Sequence, residues 1–360
     1  MGTTAGGDGP HMRLVLVESN TTGTGRVFVD RARRFGLEPV LLCADPDRYS
    51  YADEVTVVEV DTTDPTVVTE ACRAVGDVVG VTTSSEYFVE IAASVAAALG
   101  LPGAAVGALR DCRDKGRQRL RLRDAGVPVP GFTLARTDVE LADAIAATDV
   151  PMVVKPLAGS GSMNVRLCVS ADEALRHGRH VLGVDRNERG MPTPTGVLVE
   201  QYVDGREFSV EVVDRHVVGV TRTWLGPPPY FVETGHDHPA GLARDEEQLL
   251  AGTSVAALDA LGLRGIVAHV ELRLPGPVVI EVNPRPAGGM IPELVRLAAG
   301  VDLIAAHIAL AAGLPVDVTP TLRESASVRF TVPEVRHGDF RDRTGHVISH
   351  GRHAQGAVEP

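Results

Sequence analysis

A chain of 360 residues, 44% apolar and 23% charged, is too long for one ordinary core and too hydrophobic to be disordered or collagen-like, so two or three packed units are expected. The net charge of −12 excludes a broad basic footprint for nucleic acid or an anionic membrane surface, and leaves room for a local basic site that holds a small anion. No stretch reaches the ~18 continuous apolar residues of a spanning helix, so no membrane partner is expected, and four widely spaced cysteines with no CxxC fit reduced, cytoplasmic surroundings.

Residues 1–11, MGTTAGGDGPH, read as a loose tail, since they lack the charged start and apolar core of a signal peptide. From Met12 the chain alternates strand and helix: MRLVLVES, a turn NTTGTGR, a helix VFVDRARRFG and a strand PVLLCAD. Apolar runs at 55–60 and 78–82, with a helical 65–75 between them, continue the alternation of a parallel sheet. Residues 12–105 are therefore expected to form a Rossmann-like α/β domain. The pair Gly23 and Gly25 falls short of a dinucleotide fingerprint, because Phe28 stands where the third glycine is needed.

A highly charged helix is expected from 109 to 123, then a strand in VPVPGFTLA and a helix from 138 to 147. Two β runs, MVVKPL and NVRLCVS, flank the loop AGSGSMN, and 176–194 is polar and irregular. TGVLVEQYV, EFSVEVVD and HVVGVTRTW read as strands and 245–261 as a helix. HVELRL and PVVIEVNP read as a hairpin closed by Pro275 and Gly276. A last apolar helical region covers 291–314, and beyond about residue 319 the chain turns polar. Cys43, Cys72, Cys112 and Cys168 are too widely spaced for a zinc knot or a disulfide scaffold.

The basic residues comprise 33 arginines and only two lysines, Lys115 and Lys155. Codon bias explains the shortage of lysine but not why these two remain. A compact ammonium fits between phosphate oxygens where a planar guanidinium does not, so both are candidates for phosphate contacts. Lys155 is followed by Gly159, Ser160, Gly161 and Ser162, small residues whose backbone N–H groups can converge on an anion; the alternative is a plain hairpin turn. In the hairpin, Glu271 and Glu281 can face each other from adjacent strands, and Asn283 lies two residues past Glu281 on the same face. Three oxygen donors suit magnesium, whereas solvated surface acids are the alternative. Arg285, in a turn with Gly288 and Gly289, is placed to hold a carboxylate or an oxyanion, or a surface ion pair. Glu200 and Glu207 bracket a strand and turn whose acid and backbone groups could read an adenine and a ribose; the alternative is an exposed strand end.

Together, Lys115, Lys155 with its Gly/Ser loop, VEQYVDGRE and the HVELRL to IEVNPRPAGG hairpin resemble the ATP-grasp superfamily. FVETGHDHPA and the run from IPELVRLAAGVDL narrow the resemblance to bacterial L-amino acid ligases, which form dipeptides. The resemblance implies an α/β and α+β fold: the Rossmann-like domain, then an ATP-grasp fold of two α+β subdomains. These are a lid subdomain with linker helices at 106–199 and a catalytic subdomain at 200–318, followed by a short, partly flexible segment at 319–360. It implies ATP phosphates at Lys115, Lys155 and the loop 159–162, adenine at Glu200, Gln201 and the Val203 backbone, and ribose at Glu207. It also implies two magnesium ions, or manganese in their place, at Glu271, Glu281 and Asn283. Arg285 would meet the acyl phosphate and substrate carboxylate beside Gly288 and Gly289, and Glu233, His236 and Glu86 would line the substrate pocket.

The activity implied is ATP-dependent joining of a carboxylate and an amine, between two amino acids or an amino acid and a small acid, through an acyl phosphate. Other members of the superfamily use ammonia, bicarbonate or a carrier-linked group, and a non-catalytic nucleotide-binding subunit is the remaining alternative. The partners implied are small molecules and a second copy in a homodimer. The family commonly continues into a further subdomain where this chain has about forty residues holding His337, His346, His350 and His353. These are expected to form a solvated tail and not a metal site, which leaves the acceptor site to be completed by a partner.

Overall fold

A computed structural model, describing residues 12–21, 24–187, 189–331 and 345–352, divides the chain into two units. The first comprises Met1–Leu109, Arg264–Val267 and Leu303–Asp317. Its strands β1 (Arg13–Val17), β2 (Glu38–Cys43), β3 (Thr56–Glu59) and β4 (Val78–Thr82) form a parallel sheet in the order β3-β2-β1-β4. Helices α1 (Thr24–Arg34), α2 (Pro65–Val75) and α3 (Val89–Ala98) alternate with the strands, as the sequence predicts. The unbroken apolar runs of β1 and β2 are buried along their length, the signature of strands covered on both faces. A later segment, the helix Leu303–Ala311, returns to this unit, where Ile304 and Ile308 join Leu14, Leu16, Phe28 and Val29 in the core. Residues 1–11 and Gly23 lie outside the described residues.

The second unit, Arg110–Leu263, Ala268–Asp302 and Val318–Pro360, begins within α4 (Val106–Arg113). The charged stretch expected as one helix is two, because Asp114 is extended and its carboxylate accepts hydrogen bonds from the N–H groups of Gly116 and Arg117 at 2.9 and 3.1 Å. That cap starts α5 (Lys115–Asp124) and fixes Lys115 at its first position. Strands β5 (Phe132–Ala135), β6 (Met152–Pro156), β7 (Arg166–Cys168) and β8 (Val197–Gln201) form an antiparallel sheet in the order β5-β8-β6-β7. Helices α6 (Asp138–Ala146) and α7 (Ala171–Leu182) pack Leu141, Ala144, Ala174 and Val181 on Met152, Val154 and Val199. The reading of 176–194 as irregular fails as far as Leu182, because an amphipathic helix with a polar outer face carries few apolar residues to betray it.

A seven-stranded sheet completes the unit: β9 (Arg206–Val213), β10 (His216–Leu225), β11 (Glu233–His238), β12 (Val267–Leu274), β13 (Val278–Asn283), β14 (Glu324–Thr331) and β15 (Gly345–Arg352). Its order is β13-β12-β9-β10-β11-β14-β15. α8 (Arg244–Leu261) packs on β9, β10 and β13, and α9 (Ile291–Ala299) on β11 and β14. Gly300, with φ of 75°, ends α9, so the apolar region expected as one helical stretch continues as a separate helix, α10 (Leu303–Ala311). The segment after 319, expected as a short, partly flexible tail, instead supplies the two outer strands. Alternation hides it: Ala326 and Val328 pack on Leu294 and Ala298, with polar residues between them. His346 and His350 lie on β15, and His337 and His353 fall outside the described residues. Gly205, with φ of 121°, fits the turn before β9 because any Cβ there would meet the Leu274 carbonyl oxygen at 1.9 Å.

Among the described residues no single helix is long and apolar enough to cross a membrane. All four cysteines are buried and none forms a disulfide, and burial pushes the Cys43 thiol up to about 12 and those of Cys72 and Cys168 up to about 11, so none of these three is a ready nucleophile or metal ligand.

Two buried histidines make the protein sensitive to mild acid. Burial lowers His238 and His307 from 6.5 to about 4. Between those values the unfolded chain takes up a proton that the folded chain refuses, so the contribution of these two groups is full above pH 6.5 and is lost as pH falls towards 4, while Glu207 and His269, whose values are raised, contribute with the opposite sign. At about 1.4 kcal/mol per tenfold difference in proton affinity, His238 and His307 each cost roughly 3 kcal/mol by the bottom of that window. From pH 7.5 to 4.5 the denaturant midpoint of His238→Gln, whose amide can still meet Thr221, is expected to rise relative to that of the native chain. Equal slopes would remove His238 from the account.

Candidate functional site

Strand periodicity places one set of polar residues of the large sheet on a common face. In the registers, Glu271 stands opposite Glu281, His269 opposite Asn283, Ser209 opposite Thr221, Glu207 opposite Thr223, and Thr223 opposite His236. Directly opposed residues share a face, so a band of acids, histidines, hydroxyls and Arg273 runs across five strands. The intervening Phe208, Val210, Val270 and Leu272 are buried.

The end of this band at β12 and β13 opens into a cleft. Its walls include both lysines, the whole 159–162 loop, Glu200, Gln201, Val203, Glu207, Glu271 and Glu281. Segments spread over more than 160 positions of sequence thus supply one surface. Val153, Pro130, Phe231 and Ile280 form its apolar part.

Ion pairs organise the charges. Lys155 Nζ lies 2.6 Å from Glu200 Oε2, while Arg119 Nε donates to Glu200 Oε1 at 2.5 Å. Burial alone would raise the Glu200 carboxyl, but Arg119 and Lys155 together hold it below its ordinary value. Burial also lowers Lys155; the Glu200 charge opposes that, and repulsion from the Arg119 guanidinium adds to it. Lys115 Nζ lies 2.8 Å from Glu281 Oε1 and donates to the Gly159 carbonyl at 3.0 Å, so the first lysine links the hairpin to the Gly/Ser loop. The loop itself bends through left-handed backbone at Gly161, Ser162 and Asn164, and His177 Nε2 lies 2.8 Å from the Asn164 carbonyl oxygen.

Arg273 holds the other end, donating to Glu207 Oε2 at 2.9 Å and to the Val203 carbonyl at 2.6 Å, with its guanidinium over the rings of Tyr202 and Phe231. Burial pushes the Glu207 carboxyl up to about 7; Arg273 opposes that rise, whereas Glu271 and Glu233 add to it. Asn283 Nδ2 is 3.4 Å from Glu271 Oε1. Glu271, Glu281 and Asn283 offer carboxylate and amide oxygens on two adjacent strands, a donor set that fits a hard divalent cation.

The remaining sequence candidates fall elsewhere. Arg285 follows β13 and donates to the Pro286 carbonyl at 3.0 Å, and Gly288 and Gly289 lead to the start of α9. Gly289 adopts a φ of 58°, and a Cβ at Gly288 would meet nothing within 4 Å. Glu233 and His236 lie on β11, outside the cleft walls, with His236 Nε2 3.5 Å from Glu233 Oε2 and Nδ1 3.3 Å from Thr223 Oγ1. Glu86 is buried in the 3₁₀ turn Glu86–Phe88 of the first unit. Sequence reasoning missed Arg119, Arg273 and His269. Two of these stand on β12 at Glu271 ± 2, so strand period was the available signal.

A family model described as an ATP-grasp domain matches residues 148–293. An uncharacterized protein of Sinorhizobium fredii, y4rH, is 36% identical over 386 residues, covering 96% of this chain and 80% of the relative. Carnosine synthase 1 of Gallus gallus is 30% identical over 322 residues, covering 81% of this chain. The chain spans about a third of that relative's length, 34%. Among solved structures, L-amino acid ligase from Bacillus licheniformis has the same fold, with a TM-score of 0.80 at 21% identity, covering 95% of this chain and 94% of that one.

Proposed function

We propose that this chain, which belongs to the ATP-grasp superfamily, is an ATP-dependent carbon–nitrogen ligase that joins a carboxylate to an amine and releases ADP and phosphate. Its substrates are two amino acids, or an amino acid and a small acid. The observation that carries this reading is the cleft itself. Two lysines, a Gly/Ser loop and a pair of facing carboxylates line one space, which is suited to holding a polyphosphate and a divalent cation together. The ligase names of the relatives support the class of reaction.

In this reading Lys115, Lys155 and the loop 159–162 hold the phosphates. Glu200, Gln201 and the Val203 backbone hold the adenine, and Glu207 holds the ribose. Lys155 leaves Glu200 Oε2 when a phosphate competes for it, which frees that oxygen for the adenine amino group, while Arg119 keeps Glu200 oriented. Glu271, Glu281 and Asn283 hold magnesium, which when bound neutralises phosphate oxygens during transfer.

A substrate carboxylate oxygen attacks the γ-phosphorus; its P–O bond forms as the bond to ADP breaks. The amine then attacks the acyl carbon, the C–N bond forms, phosphate leaves and the nitrogen gives up a proton. Arg285 holds the carboxylate and the acyl phosphate beside Gly288 and Gly289, and Glu233, His236 and Glu86 bind the amino-acid groups. Because acyl phosphates hydrolyse, the loop 159–162 covers the site and keeps water out.

Phosphate release from ATP and magnesium, measured with single and paired amino acids and followed by mass spectrometry of the products, tests the proposal. Release is expected only with a pair, with a product mass equal to the two reactants less water. No release with any pair, while ATP still binds, would overturn the amino-acid reading in favour of another acceptor or a non-catalytic role.

A further inference from the structure

We infer that His269 and Glu211 are positioning residues that hold Glu271 ready for its cation, an inference that rests on the magnesium reading above. Glu211, on β9, is fully buried; its Oε1 accepts from Ser209 Oγ at 3.0 Å and from His269 Nδ1 at 2.7 Å. His269 Nε2 lies 3.2 Å from Glu271 Oε1. Each ring nitrogen meets a carboxylate oxygen, so the ring cannot turn without losing a contact. Asn283 approaches the same Glu271 oxygen at 3.4 Å. Both contacts fall on Oε1, which leaves Oε2 as the oxygen offered to a cation in the cleft.

A purely structural role is poorly served by this arrangement. An ion pair sunk beneath a sheet is commonly no more stable than apolar residues of the same volume. Glu211 Oε2, moreover, is buried without a hydrogen-bond partner among the described residues. The pair bears on a chemical group: it ends on a carboxylate that lines the cleft, and outer partners of that kind fix a ligand's orientation and are worth about 10- to 100-fold in metal affinity.

The experiment is a titration of the full chain with Mn²⁺ in the presence of ADP, followed by the free Mn²⁺ paramagnetic signal, alongside ADP binding without metal. His269→Ala is expected to weaken Mn²⁺ binding at least about tenfold and to leave metal-free ADP binding unchanged, a split that a general loss of structure would not give. Glu211→Gln, which keeps the volume and removes the charge, is expected to weaken Mn²⁺ binding by a smaller factor, and it decides the matter alone if His269→Ala does not fold. Native protein that binds Mn²⁺ together with folded variants that bind it equally well would overturn the inference and leave the magnesium reading standing. Native protein that binds ADP but no Mn²⁺ would overturn both.

Discussion

Glu281→Ala is expected to abolish ADP formation, with a fall in turnover on the order of 10³-fold or more, about 4 kcal/mol of barrier, while thermal unfolding stays close to that of the native chain. The two halves of that expectation come from different facts. Glu281 is partly exposed, 21%, and Lys115, which loses this carboxylate, keeps its bond to the Gly159 carbonyl at 3.0 Å. In phosphoryl transfer, however, the protein contributes mostly position and charge, and Glu281 faces Glu271 across the hairpin, where the two would hold the cation. Glu281→Gln keeps the shape and loses the charge, so it should be nearly as inactive. Turnover by either variant at the native rate, measured by a coupled ADP assay, would remove Glu281 from the cation site.

How much of this was legible in the sequence depends on whether a residue's role follows from local pattern or from distant partners. The hairpin was legible because strand alternation and a Pro-Gly turn are local, and they bring Glu271 and Glu281 into register as expected. The parallel sheet of the first unit followed from alternating runs in the same way. Lys115 and Lys155 stood out by composition, and the cleft includes both. Arg119 was invisible, being one of 33 arginines. Its place one helical turn after Lys115 means something only once Asp114 is known to start a new helix. Its partner Glu200 lies 81 residues away. Arg273 and His269 were inside the quoted HVELRL motif, yet their partners Glu207 and Glu211 come from β9, more than fifty residues earlier. β14 escaped because half-burial against α9 needs only Ala326 and Val328, too few apolar residues to distinguish a strand from a polar tail.

Lys155→Arg separates a chemical need for lysine from a compositional accident, and it is expected to lower kcat/KM for ATP by about 10²-fold, roughly 2.7 kcal/mol. Lys155 has a side-chain exposure of 5% and meets one oxygen of Glu200, whose other oxygen already holds the Arg119 guanidinium at 2.5 Å. A second guanidinium there keeps the charge but not the size. It must lie flat against Glu200 or project its fork into the cleft, and either way it reaches phosphate oxygens with a different geometry from an ammonium. Because Glu200 stays paired, the change should appear in catalysis and nucleotide binding more than in unfolding. Lys155→Met supplies the contrast, since it leaves Glu200 with Arg119 alone and should lower both activity and the midpoint of thermal unfolding. Full activity in Lys155→Arg, with loss in Lys155→Met, would mean that any cation suffices at this position and that the surviving lysine reflects composition and not chemistry.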